Sequence, residues 1–233
     1  MSRIEGDYIV RFDWQIRLQH AVLLSSFIVL ALTGLPQGFP SAPSMNWWLN
    51  LFGGVENLRF VHHWAARAFY GTLFYHLFYL GYNWLHLHKS PKIILPNIKD
   101  IKDAFQSTLY IFGLAEEPVY DYLQYGQKID YWFTMVIVPV IALSGIAVGN
   151  EYLLAVFPGW FTAIALVIHR GLAVMSIGFV VIVHFYYGHL APKAFPFNSV
   201  IFTGKMTRAK YKEWFYLEYR KLIGQSDEAE KKG

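Results

Sequence analysis

The sequence predicts an all-α integral-membrane protein, a four-helix bundle with both termini cytoplasmic. Three observations predict it. The 233 residues are 55% hydrophobic and 15% charged, against roughly a quarter charged in an ordinary soluble domain. Four stretches are long and apolar enough to cross a hydrocarbon core of about 30 Å. Two of these stretches each carry a pair of histidines, His62 with His76 and His169 with His184, spaced 14 and 15 residues apart.

The first span runs over about 18–36 and is expected to end at Thr33-Gly34-Leu35-Pro36, a glycine and proline stop. The segment before it is not expected to be a signal peptide, because Asp7, Arg11, Asp13 and Arg17 leave no apolar core before residue 18. The second span covers about 58–84, the third 129–148 and the fourth 160–187. Each is long enough for a tilted crossing. Between spans two and three, residues 97–112 place Ile98, Ile101, Phe105, Leu109 and Phe112 on one helical face, which predicts an interfacial amphipathic helix. Residues 193–233 form a basic tail. In it Lys205, Arg208, Lys210, Lys212, Arg220 and Lys221 alternate with Trp214, Phe215 and Tyr216, a second amphipathic, lipid-facing pattern. Residues 1–233 are therefore read as one membrane domain.

Charge sets the orientation. The N-terminal segment holds Arg3, Arg11 and Arg17. The loop between spans two and three holds Lys89, Lys92, Lys99, Lys102 and Lys128, and the tail holds nine more, so that 17 of the 20 basic residues lie on one side. Both ends are expected in the cytoplasm of a bacterial or archaeal cell, with the protein multi-pass in its cytoplasmic (inner) membrane. Anionic lipid accounts for the basic tail, and nucleic acid is not an expected partner. The chain has no cysteine, which excludes disulfides, cysteine-bound iron–sulfur clusters and thioether-attached haem.

The histidines carry the chemistry. On an α-helix 14 residues advance about 21 Å and return to within about 40° of the starting face, so each pair addresses one side at two depths. With the cytoplasm below, His62 and His169 lie high, while His20, His76 and His184 lie low. Two non-covalent haem b groups with bis-histidine ligation, stacked across the bilayer, need four of these five, and the low level holds one more than it needs. His63 points about 100° away from His62. His86, His88 and His189 belong to the cytoplasmic rim. Arg59 and Arg170, at the extracytoplasmic end, are natural partners for haem propionates, and an arginine there could equally reach lipid headgroups. Gly71, Gly145, Gly171 and Gly178 suit either a porphyrin face or close helix packing.

Several short motifs, in order, make the chain resemble the di-haem cytochrome b family of membrane anchors. That family includes the gamma subunit of formate dehydrogenase, the cytochrome b subunit of nickel–iron hydrogenase and thiosulfate-reductase-type cytochromes. The motifs are Arg17-Leu-Gln-His20 and Thr33-Gly34 on the first span, and Arg59-Phe-Val-His62 on the second. Tyr125-Gly126-Gln127-Lys128 leads into Tyr131-Trp132, and His169-Arg170 precedes His184-Phe-Tyr186. Pro192, Phe195-Pro196 and Gly204-Lys205-Met206-Thr207-Arg208 follow. The resemblance implies an upper haem on His62 and His169 and a lower one on His20 and His184, with His76 as the alternative to His20. It also implies a quinone, menaquinone or ubiquinone, near the lower haem at Gln124, Tyr125, Gly126, Gln127 and Lys128. The 15-residue spacing and the extra His76 depart from the formate dehydrogenase pattern.

The expected function is transfer of electrons across the membrane between an extracytoplasmic iron–sulfur or multihaem cytochrome subunit and the quinone pool, in either direction. Such a chain is an electron-transfer subunit of a quinone-linked oxidoreductase rather than a complete enzyme. Two rivals stand beside it: a stand-alone cytochrome b with a small diffusible donor, and a haem-free proton or ion carrier.

Overall fold

The computed structural model describes residues 2–88, 94–190 and 193–224. Lys89, Lys92, Pro192 and the end of the tail, residues 225–233, lie outside the described residues.

Helices dominate. In chain order the elements are β1 (Arg3–Glu5), β2 (Tyr8–Val10), α1 (Trp14–Gly38), α2 (Pro43–Leu51), α3 (Val55–Leu87), α4 (Ile98–Ile111), α5 (Tyr125–Gly149), α6 (Glu151–Val156) and α7 (Gly159–Phe179). A π-helix over Val180–Leu190 continues α7, and α8 (Val200–Thr203), β3 (Lys205–Thr207), α9 (Arg208–Trp214) and α10 (Tyr216–Leu222) follow. Among the described residues three helices are long and apolar enough to cross a membrane: Trp14–Gly38, Tyr125–Gly149 and Gly159–Leu190. The second expected span is a 33-residue helix, long enough to cross, but Glu56, Arg59, Arg67 and its histidines dilute its apolar character.

The expected stop of the first helix at Thr33–Pro36 is corrected. α1 runs on to Gly38 with Pro36 inside it. Proline has no N–H, so the carbonyl four residues back loses its helical partner. That carbonyl is Leu32 O, and the Trp48 indole N–H donates to it at 2.6 Å. Once the orphaned acceptor is satisfied, the helix continues through the proline.

The chain divides into two compact units. The larger comprises residues 18–78 and 133–198. On α1, α5 and α7 its buried side chains include small or polar ones: Gln19, Ser26 and Thr33 on α1, Ser144 on α5, and Ala165 and Ser176 on α7. Its large apolar side chains point outward, among them Leu18, Phe74, Phe78, Leu143, Val167 and Ile182. This inverts a soluble core and suits hydrocarbon as the solvent. On α3 the inward stripe is Leu58, Ala65, Phe69 and Leu73. The spacing of that stripe carries His62 and His76 with it.

The other unit comprises residues 1–17, 79–132 and 199–233, and here the all-α expectation is amended. β1 and β2 pair antiparallel across a turn at Gly6, and β2 pairs antiparallel with β3, Ile9 opposite Met206. The tail is therefore folded: Tyr211, Trp214 and Phe215 are buried within the unit rather than spread on lipid. Arg11 is 5% exposed. Its guanidinium lies 3.8 Å from the centre of the Phe215 ring and donates to Tyr122 O at 2.8 Å. Burial lowers its affinity for a proton and raises that of Tyr211, to about 12. Gly204, at φ +80°, has no room for a side chain, since a Cβ would meet Phe12 O at 2.6 Å. α4 starts on a capping box between Asn97 and Asp100. It buries Asp103 and Ser107 and exposes Ile98, Ile101 and Phe105. The Phe195–Pro196 peptide bond is cis.

Candidate functional site

Two pairs of histidine rings face each other in the larger unit. His62 on α3 and His169 on α7 have ring centroids 6.3 Å apart and planes crossed at 73°. His20 on α1 and His184 in the π-helix are 6.2 Å apart with planes inclined by 30°.

The upper rings are held in defined tautomers. His169 Nδ1 lies 2.9 Å from Ile141 O, and a carbonyl can only accept, so Nδ1 carries the proton. His62 Nδ1 lies 2.8 Å from Thr33 Oγ1. The Thr33 hydroxyl spends its own proton on Val29 O at 2.7 Å, so it too accepts from Nδ1. Both imidazoles therefore present Nε2 as a lone pair, the form needed for metal ligation. Two metal–imidazole bonds of about 2.0–2.1 Å, each extended by about 1.2 Å from nitrogen to ring centre, set opposed rings about 6.4 Å apart. The two observed separations fit a bis-histidine haem at each level.

Two glycines clear the upper rings. A Cβ on Gly34 would lie 3.3 Å from His62 Cε1, and one on Gly145 would lie 2.9 Å from His169 Cε1. Gly71, Gly171 and Gly178 have no such neighbour within 4 Å. Of the four glycines singled out above, only Gly145 abuts a histidine, while Gly34 had been read as part of a helix stop.

The third low histidine has a different partner. His76 Nδ1 is 2.7 Å from Gln19 Oε1, and Gln19 directly precedes His20. The 15-residue spacing on the last helix is absorbed where α7 becomes a π-helix at Val180. Hydrogen bonds from i to i+5 take up one more residue per turn. The result returns His184 to about the direction that a 14-residue α-helical spacing would give it.

The remaining candidates are spread more widely. His63 is exposed and lies against Gly149, where a Cβ would meet its Nε2 at 3.1 Å. Arg59 pairs with Glu56 at 3.3 Å on the surface, and Arg170 is exposed beside His169. His189, placed at the rim by its position, is instead 7% exposed, with Nδ1 2.7 Å from Asn198 O and its ring stacked on Phe197. In the smaller unit, the Gln127 side chain accepts from Gln124 N at 3.2 Å at the start of α5, and Lys128 is buried in an ion pair with Asp100 at 2.9 Å. Gln124 and Tyr125 offer the side chains there that could address a carbonyl oxygen, and nothing crowds Gly126. Among the described residues no cluster of three or more His, Cys, Asp or Glu side chains is placed to hold a metal ion.

Comparison with known proteins agrees with the resemblance read from the motifs. The chain is 26% identical over 182 residues to the cytochrome b556(fdo) subunit of formate dehydrogenase from Escherichia coli K12, covering 77% of this chain and 78% of that protein. It is 24% identical over 181 residues to the nitrate-inducible cytochrome b556(Fdn) subunit of the same strain, covering 76% of each, and matches the Shigella flexneri subunit of that name to the same degree. No family model matches the chain. The similarity to cytochrome b subunits extends over about three quarters of the chain and supports a membrane cytochrome b in electron transfer.

Proposed function

We propose that this chain is a di-haem cytochrome b subunit that carries electrons across the membrane between an extracytoplasmic redox partner and a membrane quinone. The observation that carries the reading is the pair of facing histidine couples at 6.3 and 6.2 Å, built on helices that also supply their supporting groups. His62 and His169 hold one haem b, and His20 and His184 hold the other. Haem b supplies reversible one-electron chemistry when bound. The chain's own contribution is ligation, orientation and exclusion of water. Thr33 and Ile141 O fix the upper imidazoles, the π-helix aims His184, and the facing of His20 and His184 at 6.2 Å supports His20 as the ligand. Arg59 and Arg170 supply positive charge for propionates.

Four crossings are favoured over three by the small sheet. β2 and β3, from opposite ends of the chain, are hydrogen-bonded neighbours. Their pairing supports both strand segments lying on the same side of the bilayer and hence an even number of spans between them. With α3 as the fourth span, the basic segments place that side in the cytoplasm. The outward Ile98, Ile101 and Phe105 of α4 then lie in the interface of that leaflet. Gln124 and Tyr125, at the start of α5, address a menaquinone or ubiquinone carbonyl, with Gly126 giving access. Gln127 and Lys128 act there as structural groups. On the other side, exposed Trp47 and Leu51 of α2 offer a docking surface to an iron–sulfur or multihaem subunit. The relatives are named as formate dehydrogenase subunits, which supports an iron–sulfur partner.

A reduced-minus-oxidised spectrum of the purified chain, with a haem-to-protein ratio, tests the proposal. Two b-type haems per chain are expected. Absence of a b-type α-band would sink the haem reading and leave the ion carrier. Full quinone reduction by a small donor, with no co-purifying extracytoplasmic subunit, would favour the stand-alone cytochrome.

A further inference from the structure

The upper histidines differ in what holds them. His169 leans on a backbone carbonyl, Ile141 O, which no substitution removes. His62 leans on a side chain. Thr33 is fully buried, its hydroxyl is tied back to Val29 O at 2.7 Å, and its oxygen meets His62 Nδ1 at 2.8 Å. The hydroxyl proton is thereby directed away from the histidine. The β-branched side chain has few rotamers in a helix, so the oxygen is held in place rather than recruited. The next residue, Gly34, clears the ring edge at Cε1. In two adjacent positions α1 thus supplies an acceptor for one side of the His62 ring and space for another.

We propose that Thr33 is the positioning residue of the upper haem: it fixes the His62 tautomer and lowers that haem's midpoint potential. The proposal rests on the di-haem reading above. A hydrogen bond from Nδ1–H raises the basicity of Nε2. A more basic ligand favours the oxidised iron, so removing the acceptor moves the potential upward. Without Thr33 Oγ1, the Nδ1–H of His62 would face a buried position with no acceptor in place, and the ring would lose the preference that keeps Nε2 unprotonated.

The test is a redox titration of the purified full chain, read optically, for the wild type, T33V and T33S. Valine keeps the shape and removes the oxygen, whereas serine keeps the oxygen. The expected result is two haems in every form, an upward shift of one midpoint potential in T33V, and near-wild-type potentials in T33S. Loss of one haem in T33V alone, with both retained in T33S, supports the same role. A second comparison locates the effect: in an H169A background, which keeps only the lower haem, T33V should shift nothing. Unchanged potentials in T33V, or equal shifts in T33V and T33S, would overturn the proposal. A wild-type chain without haem would instead overturn the di-haem reading, so the two failures are distinct.

Discussion

The upper and lower histidine couples reach nearly the same separation by different routes. The upper one is built by hydrogen bonding: His62 and His169 sit in regular helices, each imidazole Nδ1 is tied to an acceptor, and a glycine clears each ring. The lower one is built by register. His184 faces His20 because one extra residue is taken up by the π-helix, and the neighbouring His76 is held by Gln19. A site fixed by local acceptors is sensitive to single atoms, and a site fixed by register is sensitive to insertions.

The largest expected effect comes from the rings themselves. Alanine at His62 or His169 should remove one haem and alanine at His20 or His184 the other, whereas H76A should keep both. Pyridine haemochrome assays against protein concentration read the ratio. Loss of the lower haem in H76A with its retention in H20A would reverse the lower assignment. Register is the next lever. Deleting Val181 restores a 14-residue spacing, and the helix can then become α-helical throughout with both haems kept. Inserting an alanine at the same point should cost the lower haem and spare the upper. Equal loss of both haems on insertion would show that the couples are not independent.

Crowding ranks third. G145A places a methyl carbon 2.9 Å from the His169 ring, which costs about 1–3 kcal/mol as overpacking and should weaken retention of the upper haem. G171A meets nothing within 4 Å and should behave as wild type on the same thermal haem-loss curve. The smallest effect belongs to W48F. The phenyl ring cannot donate to Leu32 O, a loss of about 1 kcal/mol. It should lower the thermal stability of the upper haem slightly, because Thr33 and Gly34 directly follow that carbonyl on α1.

Much of this arrangement was legible in the sequence, because helical periodicity is local. His62 and His76 follow the spacing of the buried stripe of α3, whereas the 15-residue step to His184 showed only a departure from the family pattern and not the π-helix that absorbs it. Other features depend on groups far apart in the chain. Thr33 looked like part of a helix stop, since nothing local shows that Trp48 satisfies the carbonyl Pro36 leaves open. Gln19 could be matched to His76 only once α1 and α3 were placed side by side. The sheet escaped notice because three-residue strands carry almost no periodicity and the partner of β2 lies at the other end of the chain. His189 sits at a helix end in the sequence, yet Asn198 and Phe197 fold back to enclose it.

The pairing of β2 with β3 also sets a clock on biogenesis. Tyr8–Val10 leaves the ribosome well before Lys205–Thr207, and at about 5–20 residues per second the gap between them is about 10–40 s. During that interval the hairpin keeps an open edge. The sheet can close only after the helices between its strands have been made and, on the four-span reading proposed above, after the last of them has brought the chain back to its starting side. On that reading, a nascent chain that inserts one helix too few would strand the two partners on opposite faces of the membrane, and the unpaired hairpin would mark it as unfinished.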